Sequence, residues 1–357
     1  MSENSLMPKR IYSYDLIRII AAIGVIMAHS VSVLVTDSPY GSADFTYANF
    51  FDTAGRASIA LFLMLSGALM LDEEKIIPTK KFFVTAVRML FLGVAWSGLY
   101  SFAINIVLPV INYKEPNISS FIETTVYGEF HLWYLYMLAG LYMITPFLRL
   151  FVKKENAKWV AGFIVLFFIM SSLPTFINTV ANFFTAEKDH LIRFTNKLEF
   201  DYGNEYLCYY LLGWLVTATK ITKKQRRILY ALGVTGFIVT FLGIQFSLSE
   251  TNRECVFYAN KMINVAFYGV SLFVFLNRRF RNFEPKSHRK LLLNLSSLTF
   301  GVYLIHFFGL IFIRSFTDVI ASGIVRSVIE FLFTVIFSFT ATFIISKMPF
   351  FNRFIKT

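Results

Sequence analysis

Long apolar stretches of about 20 residues, separated by short polar segments, recur along the whole chain of 357 residues. A stretch of that length can cross the hydrocarbon core of a bilayer as an α-helix. The pattern predicts ten such helices, at 14–35, 51–71, 82–108, 130–150, 159–183, 202–219, 228–248, 256–277, 291–315 and 325–346. The polar segments between them are too short to bury a core of their own. We therefore predict an all-α integral membrane protein, a bundle of about ten transmembrane helices that forms one domain over 1–357.

Composition supports this class, because 56% of the residues are hydrophobic and only 16% are charged, whereas soluble domains are about a quarter charged. The first helix is not expected to be a cleaved signal, since Asp15 and Arg18 interrupt its apolar core. The two cysteines, Cys208 and Cys255, have neither metal-ligand spacing nor the pattern of a disulfide framework. We therefore expect no metal site.

The basic residues predict the orientation. Most of the 34 Lys and Arg residues lie in the six segments that share a side with both termini, which the positive-inside rule places in the cytoplasm. Topology and anionic lipids explain the net charge of +12, and because the charges are divided among short segments we expect no nucleic-acid binding. Contact between these cations and the phosphates of a cytoplasmic cofactor is the open alternative.

Two ionisable residues, Arg18 and His29, interrupt the first predicted helix. Eleven residues make almost three helical turns, so both side chains project from one face, about 16 Å apart along the axis. Ala22 and Val25 complete this stripe, and their modest size predicts room beside it. Arg18 alone could snorkel to the headgroups and His29 alone could be a satisfied core residue. Together they favour a functional stripe, because ionisable groups within a membrane helix are costly.

Further candidates lie in the predicted outer half of the bundle. Arg56 is about five residues inside the outer end of the second predicted helix, and His131 opens the fourth. Tyr303 and His306 are three residues apart on one face of the ninth helix, with His306 near the midplane. A base that titrates near neutrality and a cation where negative charge develops are the groups that acyl or proton transfer requires.

Ordinary structural roles account for other polar residues. Small residues at helix contacts allow close approach, which favours packing for Ser66 and Gly67. An interfacial aromatic belt explains Trp133. Snorkelling is sufficient for four cations near helix ends, Arg88, Lys261, Arg314 and Arg326. Arg326 could also pair with Glu330, four residues later.

Four segments together resemble acyltransferase family 3, the bacterial integral-membrane O-acyltransferases. The first-helix signature of this family, an Arg followed after ten residues by a His, is similar to YDLIRIIAAIGVIMAH. The second-helix phrase FFxLSGxLL is similar to FLMLSGALML. The HLWFL segment of the enterobacterial-common-antigen O-acetyltransferase branch resembles the start of HLWYLYMLAGLYMITPFL, and a late YLIH phrase resembles FGVYLIH. The matches occur in order over almost the whole chain.

The resemblance implies a multi-pass protein of the bacterial cytoplasmic membrane. It would move an acyl group, usually acetyl from cytoplasmic acetyl-CoA, to a hydroxyl of a cell-surface glycan or its lipid-linked precursor. By position, the resemblance assigns catalysis to His29, Arg18 and Arg56. It relates substrate binding to four further residues, His131, Trp133, Tyr303 and His306. Acyl-CoA is then a donor substrate, and no permanently bound cofactor is expected.

Some members of this family carry an additional extracytoplasmic SGNH-type domain that finishes the transfer. We expect no such domain in this chain. Either the membrane part completes the reaction, or a separate extracytoplasmic partner does.

Two other classes fit the same charged residues. A transporter, such as a flippase of lipid-linked sugars, would line its pathway with them and would move substrate without acyl-CoA. A structural or sensory partner in an envelope complex would tolerate replacement of the intramembrane His and Arg residues. Binding or hydrolysis of acetyl-CoA by the solubilised protein separates these classes from an acyltransferase.

Overall fold

The computed structural model describes residues 10–181, 190, 193–194, 197, 205–247, 257–285 and 287–355. These parts of the chain are helical and contain no strand. The helices of eight or more residues are α1 Tyr12–Asp37, α2 Ala43–Met70, α3 Thr79–Phe102, α4 Ile118–Tyr127, α5 Trp133–Phe151, α6 Ala157–Ala181, α7 Glu205–Ala218, α8 Lys223–Ser247, α9 Ile263–Arg279, α10 Arg289–Thr317 and α11 Gly323–Lys347.

A helix occupies each of the ten predicted positions, and α4 is additional. By length and composition, eight helical segments in the described residues are candidates to cross a membrane. The described parts of α7 and α9 span 14 and 17 residues, which is below the 18 or so that a bilayer requires. An all-helical protein with several membrane spans is therefore confirmed, while the number ten and the side of the termini stay predictions.

Several helix boundaries differ from the prediction. Helix α2 begins at Ala43 instead of residue 51, because the Ser42 side chain caps it by accepting a hydrogen bond from the Phe45 amide at 3.1 Å. Arg56 therefore lies more than three helical turns after the start of α2. Helix α3 continues through a π-helical turn to Ile111.

The segment predicted as a loop at 109–129 contains α4, which Asn117 caps by accepting from the amide of Ser120 at 2.9 Å. Helix α9 begins at Ile263 instead of residue 256. Several predicted helix ends lie outside the described residues, at 182–183, 202–204, 248 and 256. Cys255 lies outside them as well.

Helix α2 is central to the bundle and packs against α1, α7 and α9. Gly67 of α2 lies so close to α7 that a Cβ there would collide with the backbone of Tyr210. Gly213 of α7 lies equally close to the backbone of Met64. The packing role predicted for Gly67 is therefore confirmed.

Helix α1 lies between α2 and the pair α10 and α11. Ala22 is buried against Leu298 and Val302 of α10. The prediction of free space beside Ala22 is therefore wrong, because side chains of α10 fill it. A cavity of about 290 Å³ lies on a neighbouring face of α1, between α2 and α9. Its lining is mostly apolar and includes Ile20, Gly24, Met27, Ala57, Ser58 and Tyr268.

Candidate active site

Three histidines that are far apart in the sequence come together within the bundle. The ring centres of His29 in α1 and His306 in α10 are 5.3 Å apart. His131 lies in a 3₁₀ turn, Phe130–Leu132, just before α5, and its ring centre is 5.6 Å from that of His306. The fold thus gathers the three histidines predicted within or at the edge of the membrane, while His190 and His288 are exposed.

His306 is completely buried and anchored to its own helix. Its Nδ1 atom lies 2.6 Å from the backbone carbonyl oxygen of Tyr303, and the Val302 carbonyl interacts with the same ring. The Nε2 atom is buried and has no hydrogen-bond partner. A buried polar atom without a partner is unusual and requires an explanation.

His131 is also buried within the bundle. The Tyr303 hydroxyl donates a hydrogen bond to the His131 backbone carbonyl at 2.6 Å, which ties the 3₁₀ turn to α10. The ring packs against Tyr100 and Phe307, with ring centres 4.6 and 4.7 Å away. Both ring nitrogens lack hydrogen-bond partners.

An arginine of α10 holds the backbone at His29. The Nη2 atom of Arg314 donates to the His29 carbonyl oxygen at 2.8 Å, and its Nε atom donates to Glu330 of α11 at 3.1 Å. Glu330 also accepts from the Thr317 hydroxyl at 3.0 Å and lies 3.7 Å from Arg326. The predicted pair of Arg326 and Glu330 is therefore confirmed. The prediction that snorkelling alone accounts for Arg314 is wrong, because Arg314 is paired with Glu330. The contact to His29 spans 285 residues, which no local pattern could reveal.

Arg56 is held by a carboxylate one turn earlier in α2. Its guanidinium donates to both oxygens of Asp52 at 2.9 to 3.0 Å and lies 4.3 Å from the ring centre of Tyr258. The spacing of four residues between Asp52 and Arg56 is a sequence signal that was missed. Both Arg56 and Arg314 are close enough to His29 to interact with it electrostatically.

At the other end of α1, Arg18 belongs to a cluster around the buried carboxylate of Asp15. Arg10 donates to both Asp15 oxygens at 2.8 and 2.9 Å, and the Ser296 hydroxyl donates at 2.6 Å. Arg18 is more weakly engaged, at 3.5 Å. Its side chain keeps 33% of its exposure, so it can contact a ligand.

A series of hydroxyl groups lies between the two ends of α1. Arg18 interacts electrostatically with Tyr142 of α5, and the Ser66 hydroxyl interacts with those of Tyr142 and Tyr134. The ring of Tyr134 is 5.7 Å from that of Tyr303. Packing alone was predicted for Ser66, so its polar contacts are new. The spacing of eight residues between Tyr134 and Tyr142 on one helix face could have indicated them.

Trp133 begins α5 and contacts α7. Its ring packs against Tyr206 of α7, with ring centres 5.1 Å apart. A contact of Trp133 with substrate therefore stays a prediction. Within the described part of the chain, no group of three His, Cys, Asp or Glu side chains has the geometry of a metal site.

These residues have the chemistry of group transfer. Imidazoles can act as bases or nucleophiles, and arginines can supply positive charge to an oxyanion. The family model of the acyltransferase domain that defines acyltransferase family 3 matches residues 11–347. The chain belongs to this family. No curated protein and no solved structure matches it.

Membership of this family identifies a membrane acyltransferase. The match begins before Arg18 and ends after the last residue of α11 that contributes to the site. The acyltransferase domain therefore contains both ends of α1, the histidines and the hydroxyl groups between them.

Proposed function

We propose that this acyltransferase moves an acetyl group from cytoplasmic acetyl-CoA to a hydroxyl of a cell-surface polysaccharide or its lipid-linked precursor. The observation that carries the proposal is the arrangement along α1. Arg18, near one end, is partly exposed, whereas His29, near the other end, lies among buried imidazoles and arginines. A donor from one side of the membrane and an acceptor from the other could meet along such a helix.

Arg18 is the proposed contact for the phosphates of CoA. Arg10 and Ser296 make the short hydrogen bonds to Asp15, at 2.6 to 2.9 Å. The contact of Arg18 with Asp15 is longer, which leaves the Arg18 guanidinium available to bind phosphate. Arginine binds phosphate strongly because its donors match two oxygens at once. The pantetheine arm would extend past Tyr142 and Ser66 towards His29, along the hydroxyl groups instead of beside Ala22.

His29 is the proposed reacting group, by one of two routes. In the direct route it takes the proton of the acceptor hydroxyl as that oxygen attacks the thioester carbonyl. In the second route its ring nitrogen attacks first, and the acyl-imidazole then passes the acyl group to the hydroxyl. In both, the C–S bond breaks and the CoA sulfur finally receives the proton lost by the hydroxyl. Arg56 or His131 would stabilise the oxyanion.

Thiol release from acetyl-CoA tests the proposal directly. Native membranes that contain the protein and its own glycans serve as the source of acceptor, so no acceptor needs to be chosen. The wild type should release CoA and incorporate labelled acetyl into glycan. His29→Ala and His29→Gln should lose both by about 10²- to 10⁴-fold, the usual contribution of a catalytic base.

His288→Gln is the matched control, because it removes an imidazole from an exposed position. Wild-type rates in both His29 variants would contradict the role of His29. Movement of lipid-linked sugar without thiol release would instead indicate a transporter. Full function after replacement of His29, Arg18 and Arg56 would indicate a structural partner. Acetyl trapped on His29 after brief incubation would decide for the second route.

A further inference from the structure

The environment of His306 determines which of its nitrogens carries a proton. A carbonyl oxygen can only accept a hydrogen bond, so the Nδ1 atom, 2.6 Å from the Tyr303 carbonyl, carries the hydrogen. In the neutral ring Nε2 is then a bare acceptor. This acceptor is completely buried and has no partner. It therefore requires a donor that approaches from within the bundle.

The ring of His29 is in position to supply that donor. Two imidazoles joined by an N–H···N hydrogen bond of ordinary length have ring centres about 5 Å apart. The observed separation of His29 and His306 is 5.3 Å. The other aromatic neighbours of His29 are Phe130 and Phe307, at 6.1 and 6.2 Å, and neither offers an acceptor. Because the χ2 torsion of histidine is broad, a ring rotation can turn a His29 nitrogen towards His306.

We propose that His306 is a positioning residue for His29. Its Nε2 atom accepts a hydrogen bond from one ring nitrogen of His29, so that the other nitrogen presents its lone pair to the reacting groups. The inference rests on the proposed function only in taking His29 as the reacting group. It replaces the substrate-binding role that the resemblance suggested for His306.

The arrangement does the work that a carboxylate does for a catalytic histidine elsewhere. The Tyr303 carbonyl orients His306, and His306 in turn orients His29. When His29 takes a proton or bonds to an acyl carbon, the positive charge that develops on its ring strengthens the hydrogen bond to His306. The hydrogen between the two rings stays on His29, so this contact requires no additional proton acceptor.

Two substitutions of similar size distinguish this role from simple packing. In His306→Gln the amide oxygen takes approximately the place of Nε2 and can accept the hydrogen bond. In His306→Asn the amide is nearer the place of Nδ1 and cannot reach His29. His306→Phe preserves a ring but removes the acceptor. Packing alone would not favour Gln over Asn, whereas acceptance at the Nε2 position does.

The experiment measures the nucleophilic reactivity of His29 directly, with diethyl pyrocarbonate as the probe and mass spectrometry of the labelled peptide. His288, which is exposed in the basic segment before α10, is the internal standard. Because a hydrogen bond to a charged group is worth about 1.5 to 3 kcal/mol, His306→Asn and His306→Phe should slow His29 labelling about 10- to 100-fold. His306→Gln should retain most of the wild-type rate. Size-exclusion chromatography and thermal unfolding in detergent check that each variant is folded.

Wild-type labelling in all three variants would overturn the inference, and would be the result if His131 were the donor to His306. Equal loss in all three, Gln included, would also overturn it in favour of packing. A rate order of wild type, Gln, then Asn and Phe supports it. Thiol release from acetyl-CoA by wild-type membranes is measured in parallel. Its absence would count against the proposed function, while the labelling order would still decide the contact between the two histidines.

Discussion

At the Arg18 end of α1, the carboxylate of Asp15 is surrounded by Arg10 and Arg18, whose side chains are 50% and 33% exposed. At the His29 end, Glu330 is 3% exposed and holds Arg314 and Arg326, each 22% exposed. The first cluster has cations that water or a ligand can reach. The second keeps its charges less exposed, and its Arg314 donates a hydrogen bond to the backbone carbonyl of His29.

This contrast supports the proposed division of α1 between donor binding and chemistry. An exposed arginine binds a charged ligand without first leaving a buried partner, which suits recognition of a donor. Buried and oriented groups suit chemistry, because in a site with little water each hydrogen bond and charge acts more strongly. The two kinds of site should respond differently to substitution.

The largest expected effect is a kinetic separation of the two ends. His29→Gln should reduce kcat about 10²- to 10⁴-fold with little change in KM for acetyl-CoA. Arg18→Gln should raise that KM about 10-fold with a nearly unchanged kcat, because it removes binding but not chemistry. Steady-state thiol release measures both. A fall of kcat in Arg18→Gln equal to that in His29→Gln would contradict the division.

The two carboxylates should differ in their contribution to stability. Glu330→Gln removes the buried counter-charge of Arg314 and leaves Arg326 with the exposed Asp318, and should cost about 3 to 5 kcal/mol. Asp15 is as buried as Glu330, but its arginines are more exposed and Asn can still take part in hydrogen bonds, so Asp15→Asn should cost less, about 1.5 to 3 kcal/mol. Thermal unfolding in detergent measures both, and similar costs would show that the two clusters are equally shielded.

Neighbouring residues of α2 test the connection between the ends. Gly67→Ala introduces a Cβ that collides with the Tyr210 backbone, and should destabilise the protein by about 1 to 3 kcal/mol. Ser66→Ala removes a hydroxyl that interacts with Tyr134 and Tyr142, and should cost about 1 kcal/mol. Unfolding in detergent gives the order. A larger loss in Ser66→Ala would mean that the hydroxyl contacts matter more than close helix packing.

The smallest effect concerns an exposed ion pair in the turn after α2. The Lys154 ammonium donates to Glu74 at 2.8 Å and lowers the pKa of this carboxyl. Because the pKa is lower in the folded state, the pair stabilises above the ordinary pKa of Glu and loses its effect as the pH falls. Both side chains are exposed, so Glu74→Gln should change Tm by at most about 1 °C at pH 7. Melting curves from pH 3 to 7 should converge at the acidic end; divergence there would contradict the assignment.

Hydrophobic pattern was sufficient to place a helix at each predicted position, because the length of an apolar stretch depends only on local sequence. It failed at helix starts. Capped by Ser42, α2 begins eight residues before the predicted start, since a polar segment can continue a helix beyond the apolar stretch.

The sequence by itself determined an all-helical membrane protein and a first helix with Arg18 and His29 on one face. Helical periodicity and apolar length are properties of consecutive residues. Only the tertiary structure decided that His131 and His306 lie beside His29, that Arg314 binds the His29 carbonyl, and that α10 fills the space beside Ala22. Such contacts depend on how helices pack against each other, and residues hundreds of positions apart contribute to them.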